Sequence, residues 1–159
     1  MRRCLTSAVA ALVLCAACGT PADSLADSPA DSPPGAVTCE SGPRTSLAAA
    51  GDTEWRHPDR SFYAPADTDV PDGGSLEHLL LRDNALIVQY SPELPQESID
   101  EIRDWAAMQT ATVAVPGPAD PVIRATLAST ELTCDGLDTA RLTELARSRT
   151  PGQVTDHPA

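Results

Sequence analysis

Apolar and polar positions follow a readable rhythm only in the second half of the chain. Ala85-Leu86-Ile87-Val88-Gln89-Tyr90 is an apolar run too short for a helix and bounded by Asp83-Asn84 and Ser91-Pro92, which predicts a buried central strand. Beyond it, Ile99, Ile102, Trp105 and Ala106 recur at helical spacing. Pro95 sits in the first turn of that predicted helix, where a missing donor costs nothing, and Glu97, Asp100 and Glu101 lie near its positive end. Thr110 to Val115 is β-branched and apolar, a second strand stopped by Pro116-Gly117-Pro118. Val122 to Thr133 alternates as a third, with Ile123, Ala125 and Leu127 on one side and a loss of phase near Ala128 that predicts a bulge. The last element is a helix with Asp138 as N-cap, Leu137 and Leu142 at the staple positions, and Leu142, Leu145 and Ala146 on the buried face. Arg147 and Arg149 complement its negative end, and Pro151-Gly152 stops it. The order strand, helix, strand, strand, helix predicts an α+β domain over residues 36–150, a small mixed β-sheet with two helices packed on one face.

The first half reads differently. Residues 36–75 carry turn residues (Gly42-Pro43, His57-Pro58, Pro71-Asp72-Gly73-Gly74) and scattered anchors at Leu47, Trp55, Phe62 and Tyr63, which predicts irregular backbone with one or two short edge strands. Residues 1–17 have the layout of a secretory leader: Arg2 and Arg3, an apolar run from Leu5 to Ala17, then small residues. The run is shorter than the roughly 20 apolar residues a bilayer span requires. It ends in Leu14-Cys15-Ala16-Ala17-Cys18-Gly19, which resembles a lipobox, with Cys18 as the acylated first residue of the mature chain; a plain secretory leader is the alternative. The expected location is the extracytoplasmic face of the cell membrane, held by a lipid anchor. Residues 18–35, with Ala-Asp-Ser repeated every fourth residue from Ala22 and punctuated by prolines, read as a disordered tether. Residues 151–159, with His157, read as a disordered tail.

Charge narrows the partners. The 11 basic residues are all arginine and face 23 acidic ones, for a formal charge of -12. So negative a surface disfavours nucleic acid and anionic headgroups, leaving an envelope protein or glycan as the expected partner beside the lipid anchor. In an oxidising compartment Cys39 and Cys134, the two cysteines left after Cys18, form an even pair that invites a disulfide, with two buried free thiols as the alternative. The bond would close a loop of roughly 95 residues, worth on the order of 4 to 5 kcal/mol by chain entropy.

Leu76-Glu77-His78, the strand Ala85 to Tyr90, and Ser91-Pro92-Glu93-Leu94-Pro95 leading into a helix together resemble the actinobacterial membrane-associated family of domain of unknown function 3105. That family's signature, Val-His-x-Leu-Glu-His-Gly before an apolar strand, is degenerate here: Gly74 stands at its first histidine and Leu79 at its glycine. An upstream Ser-Gly-Pro-His of the family is met by Ser41-Gly42-Pro43-Arg44, with His57 the nearest histidine. The resemblance spans roughly residues 75–150 and implies topology and location rather than an activity.

A His-x-x-Glu-His arrangement can present two imidazoles to Zn²⁺ with the glutamate as base. This chain lacks the first histidine. Glu77, His78 and His57 are the candidate ligands for Zn or another divalent metal, with Asp67, Asp69, Asp72 and Asp83 near in sequence as oxygen donors. The competing reading has Glu77 and His78 orienting each other at a turn before the central strand. No Gly-x-Ser-x-Gly elbow is present, and Gly73-Gly74 is too short to cradle a phosphate. Trp55, Phe62 and Tyr63 could line a groove or belong to the core. The expectation is therefore a lipid-anchored, non-catalytic binding or scaffolding module without a cofactor, the alternative being a hydrolytic or metal-sensing site at His78, Glu77 and His57.

Overall fold

A computed structural model describes residues 36–49 and 56–149. The expected leader (1–17), Cys18, the tether (18–35), Trp55 and the tail (151–159) lie outside them. The described chain is an α+β fold with a five-stranded mixed sheet and three helices. In chain order the elements are β1 (Cys39–Pro43), α1 (Gly73–Arg82), β2 (Leu86–Tyr90), α2 (Gln96–Ala107), β3 (Thr112–Pro116), β4 (Ile123–Thr126), β5 (Thr130–Cys134) and α3 (Thr139–Arg147). The strand order across the sheet is β1-β5-β4-β2-β3. Among these strands only β2 and β3 run parallel, joined by the α2 crossover; the other neighbours are antiparallel.

The pleat divides the core in two. Leu86, Val88 and Tyr90 of β2 pack with Ile99, Ile102, Trp105 and Ala106 of α2 and with Leu142 and Ala146 of α3. Ile87, between them in sequence, points the other way and joins Val113, Val115, Tyr63 and the α1 residues Leu76, Leu79 and Leu80. A strand buried on both faces must be apolar throughout, which is why the run from Ala85 does not alternate. Burying each of these large side chains is worth about 1.5 to 3 kcal/mol. The two helices of the larger cluster are tied by Trp105, whose indole N–H donates to Thr143 Oγ1 at 2.9 Å. At the C-terminal end of α3, Arg149 donates to the carbonyls of Ala146, Ala111 and Thr110, so one guanidinium caps the helix and holds the α2–β3 turn.

Three expectations need correction. The stretch Val122 to Thr133 is a hairpin, β4 and β5, closed by Leu127 N–H on Thr130 O at 2.9 Å, and the loss of phase at Ala128 is its turn rather than a bulge. Among the described residues there are three helices rather than two, and the additional one, α1, covers the second core cluster. Gly73-Gly74 opens that helix instead of marking a loop. Asp72 is its N-cap and accepts from Ser75 N–H at 2.7 Å. Gly73 is required there because a Cβ would stand 2.1 Å from the carbonyl oxygen of Leu47. Cys39 and Cys134 form a disulfide between directly opposed residues of β1 and β5. Phe62 and Tyr63 belong to the core: Tyr63 is buried and Phe62 stacks on Tyr90 at 5.7 Å between centroids.

Candidate metal centre

Residues 61–63 run along the outer edge of β3. Ala114 N–H donates to Ser61 O at 2.8 Å and Tyr63 N–H to Ala114 O at 2.9 Å, and the Tyr90 hydroxyl donates to Tyr63 O at 2.5 Å. Arg60 lies over the Tyr63 ring, 4.3 Å from its centroid, and pairs with Asp67 and Asp69. Upstream, Arg56 N–H donates to Ser75 Oγ on α1 at 2.9 Å. His57 sits between these anchors, fixed against the C-terminal half of α1.

That half supplies the other two groups. His78 projects from α1, and Asp83 is the C-cap residue, its N–H donating to Leu79 O. Asn84 then takes a left-handed backbone (φ 50°), which lets Ala85 N–H return to the same carbonyl at 3.1 Å. The Asp83 side chain is thereby aimed by a tight, hydrogen-bonded turn and is only 10% exposed.

Together His57, His78 and Asp83 place one ligand atom each within 4.8 Å of one another. His57 Nδ1 lies 3.5 Å from Asp83 Oδ2, and the two imidazoles meet edge to face with centroids 5.3 Å apart. A tetrahedral ion with bonds of about 2.0 to 2.1 Å spaces its ligand atoms by about 3.4 Å. The His57–Asp83 pair is already at that spacing, and the widest pair would close by up to about 1.4 Å, within reach of a side-chain rotation. Two imidazoles and one carboxylate suit Zn²⁺, Co²⁺, Ni²⁺ or Fe²⁺ and are a poor match for Ca²⁺ or Mg²⁺, which favour all-oxygen shells.

Glu77 is elsewhere. Successive helical residues diverge by about 100°, so Glu77 and His78 cannot share a direction. Glu77 Oε1 pairs with Arg44 at 2.7 Å, and Oε2 accepts from Arg44 at 3.1 Å and from Leu47 N–H at 2.9 Å. Arg44 also donates to Ala128 O at 2.8 Å, so the pair fastens α1 to the β1 exit and the β4–β5 turn. Burial by itself would raise the Glu77 carboxyl; Arg44, the Leu47 amide and Ser46 outweigh it and hold the group below the usual carboxylate range. The other acidic candidates are also engaged. Asp67 accepts from Ala64 N–H and, with Asp69, pairs with Arg60, while Asp72 caps α1.

Of the ligand set expected from sequence, the structure brings together His57 and His78 and exchanges Glu77 for Asp83. The signal that distinguishes Asp83 from its acidic neighbours is its place at the end of α1, visible once Leu76, Leu79 and Leu80 are recognised as a helical stripe. Fold and cluster together define a small disulfide-linked α+β domain with a two-histidine, one-carboxylate constellation at a helix C-terminus. Compared with family models, curated proteins and solved structures, the chain has no match. The functional reading therefore rests on this chain's own residues.

Proposed function

We propose that the chain is a lipid-anchored extracytoplasmic module that binds a divalent transition-metal ion of the Zn²⁺ class through His57, His78 and Asp83. The observation that carries the reading is the convergence of three ligand atoms from two separate segments within 4.8 Å. Anchoring at Cys18 is supported by the leader pattern of residues 1–17, and an oxidising compartment by the Cys39–Cys134 bond. The likeness of residues 75–150 to the actinobacterial membrane-associated family belongs to the same proposal. Binding is favoured over hydrolysis because Glu77, the expected base, is committed to Arg44.

The test uses the full chain isolated from membranes in detergent. Elemental analysis and thermal unfolding with added Zn²⁺ are expected to show one equivalent bound and a stabilisation of about 2.7 kcal/mol at a hundred times the dissociation constant. His57→Ala, His78→Ala and Asp83→Asn should each weaken both. A metal-free protein whose melting temperature ignores Zn²⁺ overturns the metal reading. Failure of the native host to incorporate labelled palmitate at Cys18 overturns the anchor separately.

A further inference from the structure

Three protein ligands on a four-coordinate ion leave one position for an exchangeable group. Two clefts adjoin the cluster, and His57 lines both. One, of about 430 Å³, runs toward Val70 and Asp72 and holds no second ligand of the set. The other, of about 400 Å³, is lined by both His57 and Asp83, so an ion bound between them would face it. Its lining mixes polar groups, Asp59, Arg60, Gln109 and Thr112 among them, with a small apolar patch made by Leu79, Ala85 and Val113, and the exposed Thr110 stands at its rim. The volume falls in the usual range of small-molecule sites, roughly 300 to 1,000 Å³, and the apolar patch beside the polar groups can take a ligand with one polar and one apolar end.

A second observation, at Ala111 and so apart from the cluster, marks the same cleft. Among the described residues two non-glycine residues adopt left-handed backbone: Asn84 (φ 50°), in the turn that aims Asp83, and Ala111 (φ 45°), in the α2–β3 turn that lines the cleft. Asparagine tolerates this conformation, whereas for alanine it costs roughly 1 to 2 kcal/mol. Ala111 is kept there by Leu86 N–H and Arg149, which both donate to its carbonyl. Backbone strain maintained by surrounding contacts concentrates where a surface must hold a particular shape for a ligand.

We infer that the metal ion held by His57, His78 and Asp83 keeps an open position facing this cleft, and that the cleft admits a small anionic metal-binding ligand, of the carboxylate or hydroxamate class, with its apolar part on Leu79, Ala85 and Val113. The inference rests on the metal reading proposed above. A divalent ion with two neutral imidazoles and one carboxylate retains one net positive charge, which a monoanion neutralises. Arg60 on the cleft wall adds a positive charge, and the small apolar patch gives that monoanion's tail partial contact out of water.

The experiment uses the full chain loaded with Co²⁺, whose visible absorption reports its coordination, titrated with azide, acetohydroxamate and benzohydroxamate. All three are expected to change the spectrum and saturate at one equivalent, benzohydroxamate binding more tightly than acetohydroxamate. Thr110→Trp, at the exposed rim, should weaken benzohydroxamate at least tenfold while leaving azide and Co²⁺ affinity unchanged; Gln109→Trp, on the same rim, is the second variant should the first fail to fold. A protein that binds Co²⁺ but whose spectrum none of the three anions moves has a closed site, which overturns this inference and leaves the metal reading standing. Absence of Co²⁺ binding overturns both. Benzohydroxamate affinity unchanged in a folded rim variant, or lost in step with azide, shows that the ligand does not lie in this cleft.

Discussion

Replacing Glu77 by Gln separates the two roles that sequence and structure assign to this residue. In the folded chain its carboxylate forms a two-pronged ion pair with Arg44 and accepts from the Leu47 amide, and the side chains are 15% and 19% exposed. Hydrogen bonds to charged groups are worth about 1.5 to 3 kcal/mol, and breaking a fully buried pair costs about 3 to 5. Partial solvent access scales the larger figure down, and the Gln carbonyl can still accept from Leu47, so the expected loss is about 2 kcal/mol. For a domain of this size that lowers the melting temperature by roughly 10 °C. Circular dichroism melts with and without Zn²⁺ measure both quantities at once: the apo melting temperature falls while the increment added by the metal stays that of the wild type. Combining Arg44→Met with Glu77→Gln should destabilise by less than the two singles together, with a coupling of about 1 to 2 kcal/mol. A Glu77→Gln protein that melts like the wild type and has lost its response to Zn²⁺ would refute the reasoning, since it would make Glu77 a ligand and Arg44 a bystander.

Other outcomes follow from the same contacts. Reducing the Cys39–Cys134 bond, which spans a sequence separation of 95, should cost about 4 to 5 kcal/mol and lower the melting temperature by roughly 20 °C; a shift under about 5 °C would mean that the β1–β5 ladder alone confines the unfolded chain. Asp72→Ala should destabilise by about 1 kcal/mol through loss of the α1 cap, measured by urea unfolding at neutral pH. The Asp72 carboxyl is held below its ordinary range by the Ser75 amide, then by the Ser75 hydroxyl and the charge of Arg56. Its contribution is therefore present above the usual aspartate range and lost as the pH falls through it, and Asp72→Asn should keep the cap while removing that pH dependence. Tyr90→Phe removes the hydroxyl that holds Tyr63 O and should cost about 1 to 2 kcal/mol by urea unfolding, with no change in Zn²⁺ affinity.

What could be read from the chain alone divides along physical lines. The strand at Leu86–Tyr90, α2 and α3 were legible because each carries its own complete local signal: an apolar run between turn residues, a stripe at helical spacing, and an aspartate cap with the matching staple. The disulfide was legible from the parity of the cysteines left outside the expected leader. The hairpin was misread because its turn, Leu127-Ala128-Ser129-Thr130, contains no Gly, Pro, Asn or Asp, so a reversal of direction looked like a slip of register. Helix α1 was hidden by Gly73, whose missing side chain answers to a tertiary contact with Leu47 that no local rule contains. With α1 unseen, Glu77 and His78 looked like partners. As helical neighbours they serve different sides, and the carboxylate that completes the cluster is Asp83, where the helix stops.

The position of the sulfur bridge has a mechanical consequence. Cys39 is the first residue of β1 and Cys134 the last of β5, so tension entering from the N-terminal side crosses directly from one to the other. All five strands, α1 and α2 lie between those two residues, outside the load path, and of the described elements α3 alone carries force pulled through residue 149. Stretching residues 135–149 can yield at most about 50 Å of slack before the pull meets covalent bonds. The proposed metal centre, shielded by the same bridge, would keep its geometry in a protein dragged by both ends until a reductant cut the shortcut.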